Sequence, residues 1–234
     1  MGKPAQKRLI RKLELELFIS QMEPQPSPKV SLEQYTVTEA IAAKMLYLAA
    51  YTNDDIIGKK VIDLGCGTGR LALAASYLGA QSVVGVDIDR AAIKTAYNNS
   101  EKAGNSADVQ WILGDISTVR GSFDTVLQNP PFGVQKRSAD RKFLEKALQV
   151  GNIIYSLHNH PFIDKQLIQR LKASPSDLLQ LSPSPFIERF VESHHGVVKA
   201  VYAMLMTIPR MFNFHTKMKY DLVIDLYLIK RTAK

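Results

Sequence analysis

The five residues Asn129-Pro130-Pro131-Phe132-Gly133 follow a short apolar run, Phe123 to Leu127. These residue types suit the alkylation of an exocyclic amine on an aromatic ring. Such an amine is a poor nucleophile, because its lone pair is delocalised into the ring. A catalyst must hold the amine hydrogens with acceptors while the nitrogen turns pyramidal. The Asn129 side-chain carbonyl can take one hydrogen and the backbone carbonyl of Pro130 the other. Neither Pro130 nor Pro131 has an N–H to interfere. Phe132 offers a flat apolar face on which a base can stack. Alone, the five residues also fit an ordinary strand-ending turn, since Asn-Pro is a common turn dipeptide.

What precedes them decides the matter. Lys60 to Leu64 is a β-branched run containing Asp63, and Gly65-Cys66-Gly67-Thr68-Gly69 follows at once. Leu71, Leu73, Ala74, Ala75 and Leu78 then recur at helical spacing. Strand, glycine turn and helix form the layout of a nucleotide-cofactor site at the carboxyl edge of a parallel sheet. The spacing is G-x-G-x-G. Position 70 is Arg, so the G-x-G-x-x-G fingerprint of a dinucleotide binder is absent. A dinucleotide site uses the helix N-terminus to hold a pyrophosphate. S-adenosylmethionine has no phosphate and needs other partners, which the chain supplies in order. Ser82 to Ile88 reads as a second strand ending at Asp87, about 20 residues past the first glycine, where a carboxylate suits two ribose hydroxyls. Val109 to Leu113 reads as a third, followed by Gly114-Asp115, whose carboxylate could accept from an adenine amine. Asp63 lies where a carboxylate could face an ammonium, directly or through water. An Asp at a strand end is by itself usually a turn former or helix cap, and Asp89 is expected to cap a helix from Ala91 to Ala103.

DLGCGTG, VDID, GD and NPPFG, in that order, resemble class I S-adenosylmethionine-dependent methyltransferases acting on exocyclic or amide nitrogens. LEQY at Leu32–Tyr35, IAAKMLY at Ile41–Tyr47 and FNFH at Phe212–His215 narrow the resemblance. Together they are similar to the archaeal and eukaryotic adenine methyltransferases of small-subunit ribosomal RNA, the methyltransferase-like-five family. The similarity runs from about Lys29 to Ile229. The resemblance implies that Gln34 reaches the cofactor from the N-terminal segment and that Gly65, Gly67 and Thr68 line its amino-acid end. It places the ribose at Asp87, the adenine at Asp115, and the target base at Asn129, Pro130, Pro131 and Phe132. It also implies a small zinc-binding activator subunit in some members. The family tends to carry Thr where this chain has Val37, with Thr36 and Thr38 adjacent.

The chain has 234 residues, the length of one α/β domain. No apolar stretch reaches the ~18 residues of a transmembrane helix, and the charged N-terminus does not read as a secretory signal. The single cysteine, Cys66, excludes an internal disulfide and a cysteine-based zinc cluster. A soluble, cytoplasmic protein is expected. The histidines at 158, 160, 194 and 195 lack carboxylate spacing for a metal site. The net charge of +8 favours an anionic partner such as nucleic acid. Lys136, Arg137, Arg141 and Lys142 flank the proposed catalytic loop, where phosphates would pass. His215 and Lys217 form a second candidate contact near the C-terminus. Three rivals stay open: another amine target in RNA, DNA or protein; a non-catalytic RNA-binding protein; and a nicotinamide oxidoreductase, disfavoured by the glycine spacing.

The positioning elements follow. Residues 1–28 are expected to be a basic helix, with Leu9, Leu13 and Leu17 on one stripe, and a Pro-rich linker; residues 29–234 form the methyltransferase domain. Thr38 should cap a helix from Glu39 to Tyr51. Strands are expected near 60–64, 82–88, 109–114, 123–128 and 152–157, with helices at 139–150, 161–171 and 185–193 and a stop at Gly196. Val197–Met206 and Leu222–Ile229 should pair antiparallel. The expected architecture is a doubly wound, seven-stranded Rossmann-like sheet, mostly parallel, with that antiparallel pair at its C-terminal end.

Overall fold

The computed structural model describes residues 9–25, 36–104, 109–131, 139–162, 164–174, 178–209 and 219–232. Five parallel strands build the sheet's centre: β1 (Lys60–Leu64), β2 (Ser82–Asp87), β3 (Val109–Leu113), β4 (Phe123–Gln128) and β5 (Gly151–Asn159). Three more extend it antiparallel: β6 (Leu179–Leu181), β7 (Gly196–Pro209) and β8 (Lys219–Arg231). The spatial order is β3-β2-β1-β4-β5-β8-β7-β6. The mixed architecture matches expectation, but eight strands stand where seven were expected. The extra strand is β6, a three-residue pairing with Val201–Ala203 inside a proline- and serine-rich stretch too short to show a strand period.

Among the described residues, seven α-helices cover the sheet: α1 (Lys12–Ser20), α2 (Glu39–Tyr47), α3 (Arg70–Tyr77), α4 (Arg90–Lys102), α5 (Ala139–Val150), α6 (Lys165–Ala173) and α7 (Pro185–Ser193). α2 continues into a π turn over Leu48–Thr52. Alternation along the strands sends Val61, Leu127, Tyr155 and Leu226 to the face covered by α1, α2 and α3. Ile62, Val126, Ile154 and Tyr227 face α5 and α7. Trp111 is only partly buried; its ring packs on the first face and its Nε1 donates to Ser100 Oγ of α4 at 3.3 Å.

Three local expectations are corrected. Leu13 and Leu17 of α1, with Leu9 just before the helix, are 63%, 56% and 58% exposed. The core instead takes Leu15, Ile19 and Met22, at i, i+4 and i+7, and Phe18 stacks on Tyr77 at 4.1 Å. Two apolar stripes compete here, and the winning one runs on to Met22, just past the end of the helix. Thr38 holds the backbone position before α2, but its side chain makes no cap bond. After α7 the left-handed residue is His195, at φ 58°, and Gly196 already begins β7. No helix among the described residues is long and apolar enough to cross a membrane.

Candidate active site at the carboxyl edge of the sheet

In a sheet ordered 3-2-1-4-5, the direction of winding reverses between β1 and β4, and the crevice outside the carboxyl ends there is the usual ligand position. Register places the expected residues along that crevice. Leu64 lies opposite both Val86 and Gln128, and Asp87 opposite Leu113. Gly65, Asp87, Gly114 and Asn129 therefore leave four adjacent strands at one edge. Neighbouring strands stand about 4.8 Å apart, so Asp87 and Asn129 are about 10 Å apart across β1.

The glycine loop is built into this edge. Gly65 and Cys66 donate their amides to Val86 O at 2.8 and 3.0 Å. Gly65 takes φ 70°, and a Cβ there would sit 2.8 Å from the Phe143 ring of α5, so only glycine lets that helix close on the loop. Gly67 also has positive φ, at 53°, but a Cβ there would meet nothing within 4 Å among the described residues. Its backbone borders open space at the crevice. Its N–H donates to Asp87 Oδ2 at 2.8 Å, while Asp87 Oδ1 accepts from Asp89 N at 2.8 Å. Burial holds the Asp87 carboxyl above its usual range, against the pull of these amides. The buried Thr68 presents its carbonyl to Asn99 Nδ2 at 3.0 Å.

Asp63 is 1% exposed. Its Oδ2 accepts the amide of Ala72 in the first turn of α3 at 3.1 Å. Its Oδ1 is buried without a hydrogen-bond partner among the described residues. Burial pushes its carboxyl up to about 8. Burial also raises the Cys66 thiol, which makes it a space-filling group and not a nucleophile at neutral pH. Asp89 caps α4 through Ala91 N at 3.1 Å, as expected. Asp115 is exposed at the end of β3, where its Oδ1 accepts from Ser117 N at 2.8 Å.

On the acceptor side, Asn129 and Pro131 are half-buried and Pro130 is buried. Arg141 and Lys142 are exposed in the first turn of α5, and the Arg141 guanidinium sits 4.8 Å above the Phe186 ring of α7. Gln34, Phe132, Lys136, Arg137, His215 and Lys217 lie outside the described residues. No group of three or more His, Cys, Asp or Glu side chains suited to a metal ion occurs among the described residues.

Several supporting residues went unread in the sequence. Arg70 donates from Nη1 to Val37 O at 2.9 Å and forms an ion pair with Glu39 Oε1 at the same distance. Asn99 joins the glycine loop to the N-terminal segment, accepting from Glu23 N at 2.8 Å while donating to Thr68 O. A polar residue on the Ala92, Thr95, Ala96 stripe of α4 was the available signal. Behind Asn129, Gln128 Nε2 donates to Ser156 Oγ at 2.8 Å, and Ser156 Oγ lies 2.7 Å from His158 Nε2.

Comparison with known proteins supplies names for this arrangement. Residues 41–152 match the family described as Methyltransferase small domain. An uncharacterized protein of Methanocaldococcus jannaschii is 35% identical, over 95% of each chain. The rRNA N(6)-adenosine-methyltransferase METTL5 of Danio rerio is 31% identical, over 91% of this chain and 95% of its own length. Among solved structures, a Pyrococcus horikoshii protein described as a candidate RNA methyltransferase is 33% identical, with a TM-score of 0.78 over 97% of this chain and 100% of its own.

Proposed function

The chain belongs to the family of the rRNA N(6)-adenosine-methyltransferase METTL5, and we propose that it methylates the exocyclic amine of an adenine in RNA, with small-subunit rRNA as the substrate. The methyl donor in this reading is S-adenosylmethionine. The residues present fit that donor. Gly67 leaves backbone open to the crevice, the orphaned Asp63 Oδ1 would welcome a cationic donor, and Asp87 stands at the strand end that suits a ribose. Asp63, Gly65, Gly67 and Thr68 would hold its amino-acid end with Gln34, Asp87 its ribose and Asp115 its adenine. When bound, the donor supplies an activated sulfonium methyl.

The chain's own residues then have a positioning task. The Asn129 amide oxygen and the Pro130 carbonyl take the two amine hydrogens, so the nitrogen lone pair is freed from the ring and aimed at the crevice. Phe132 fixes the plane of the base, and the base must first leave any stack or pair it occupies. Arg141 and Lys142, with Lys136, Arg137, His215 and Lys217, would steer the phosphates. The observation that supports this reading best is the register of Leu64 with Gln128, which starts the glycine loop and the Asn129 loop side by side. β3, the open edge of the sheet, exposes Ile112 and Leu113 (44% and 45%), which supports a small zinc-binding activator subunit docking there.

Methyl transfer to RNA, DNA and peptide substrates, by wild type and Asn129→Ala, tests the proposal. Transfer should occur on adenosine-containing RNA and be abolished by the substitution, with donor affinity close to wild type. Loss of donor binding instead would move Asn129 to the wrong subsite, and transfer only to DNA or peptide would refute the substrate.

A further inference from the structure

Beyond the catalytic crevice, we propose that the cavity beside the carboxyl end of β5 receives a nucleobase that neighbours the target adenine. This rests on the reading that the substrate is RNA. The cavity holds about 350 Å³, toward the small end of ligand sites, which run roughly 300–1,000 Å³. Its lining includes His160, Phe162, Gln166, Arg170, Ser182 and Ser184. Asp225, which also lines it, sits on β8, two strands from the Asn129 strand and so about 10 Å across the sheet.

The chemistry of the lining favours a base. Phe162 is 64% exposed, a large ring left in water just past β5. His160 stands edge-on to it, with centroids 4.7 Å apart and planes at 62°. The two rings make a corner in which a flat heterocycle can stack on one and abut the other. Gln166 offers an amide and Ser182 and Ser184 hydroxyls, so both donors and acceptors are available to a base edge. Two carboxylates argue against a phosphate occupant. Asp164 lines the cavity while capping α6 through Leu167 N at 2.9 Å, and Asp225 lies 2.8 and 3.0 Å from His160 Nδ1.

A path joins this cavity to the catalytic loop. Arg141, the third residue of α5, covers the ring of Phe186, which is 47% exposed. Phe186 follows Pro185, itself part of the cavity wall. Arg141 thus offers a cation for a phosphate, and Phe186 a second exposed ring, beside the cavity wall.

Phe162→Ala and Gln166→Ala change exposed side chains, so melting temperatures should stay at the wild-type value. Fluorescence anisotropy with short adenosine-containing oligoribonucleotides should show Phe162→Ala binding roughly five- to a hundredfold more weakly. Gln166→Ala should weaken binding in the same direction. A single abasic nucleotide, moved along the RNA, should cost wild type a similar factor at one position beside the target, and cost Phe162→Ala nothing further there. Unchanged affinity of Phe162→Ala, or abasic losses that add to it at every position, overturns the subsite. Unchanged RNA affinity with loss of a bound protein partner overturns it in favour of protein docking. Failure of unmutated protein to methylate any RNA is a separate result, which removes the substrate reading and the subsite with it.

Discussion

The Nη1 of Arg70 donates to the carbonyl of Val37 at 2.9 Å and meets Glu39 Oε1 at the same distance. Arg70 is the first residue of α3, directly behind the glycine loop, and its side chain is 10% exposed. Val37 and Glu39 follow the Leu32–Tyr35 segment that carries Gln34. One guanidinium therefore ties the residues just after that segment to the loop proposed to hold the donor. Arg70→Met should cost stability by about 1–3 kcal/mol, since a buried carbonyl loses a charge-assisted donor. It should also weaken S-adenosylmethionine binding at least tenfold by titration calorimetry. Glu39→Gln keeps the Val37 bond, so its donor affinity should stay near wild type. Equal affinity for Arg70→Met and wild type would show that the tether serves stability alone.

Asp63 gives a prediction in pH. Its carboxyl sits at about 8 in the fold against 3.8 in the unfolded chain, because it is buried. Between those values the native state holds a proton that the unfolded state has released, so stability falls as pH rises from about 4 to about 8 and levels beyond. Asp63→Asn lacks this titration. The stability of Asp63→Asn relative to wild type should therefore increase with pH across that window, by thermal melts of protein without donor. Saturating S-adenosylmethionine should stabilise wild type more than the variant, because the cationic donor partners the carboxylate. A pH-independent difference would mean that Asp63 ionises normally.

The ends of β1, β2 and β3 are legible because each closes a β-branched run with a glycine or an acidic residue, as in Asp63-Leu64-Gly65 and Val86-Asp87. Such signals are local. The α1 stripe was not decided by local pattern, because Leu9, Leu13, Leu17 and Leu15, Ile19, Met22 are equally good helical faces, and only packing against α2 and α3 selects one. β6 was unreadable because three residues cannot display a period. Arg70 and Asn99 act across 33 and 76 positions of sequence, a separation on which residue spacing is silent. The polar residues behind Asn129 did leave a trace. Gln128, Ser156 and His158 occupy the same alternate positions as Val126 and Ile154, where apolar residues were due.

Those three residues form a directional relay. Gln128 Nε2 donates to Ser156 Oγ, and the serine hydroxyl donates to His158 Nε2 when the ring carries its proton on Nδ1. His158 must then be unprotonated at that nitrogen, and burial lowers it to about 4. Gln128 precedes Asn129 directly, so the relay holds the base of the catalytic loop against β5. Gln128→Leu should lower kcat at least tenfold, with donor affinity unchanged, because Asn129 loses its orientation while the glycine loop keeps its bonds. The histidine adds a titration of opposite sign to that of Asp63. From about 6.5 down to about 4 the unfolded chain takes up a proton that folded His158 refuses, so stability is lost as pH falls through this window. His158→Gln keeps a polar group near Ser156 without that titration. Its deficit against wild type should be constant above about 6.5 and shrink toward pH 4. A deficit that stays constant on acidification would place His158 in contact with solvent and remove it from the relay.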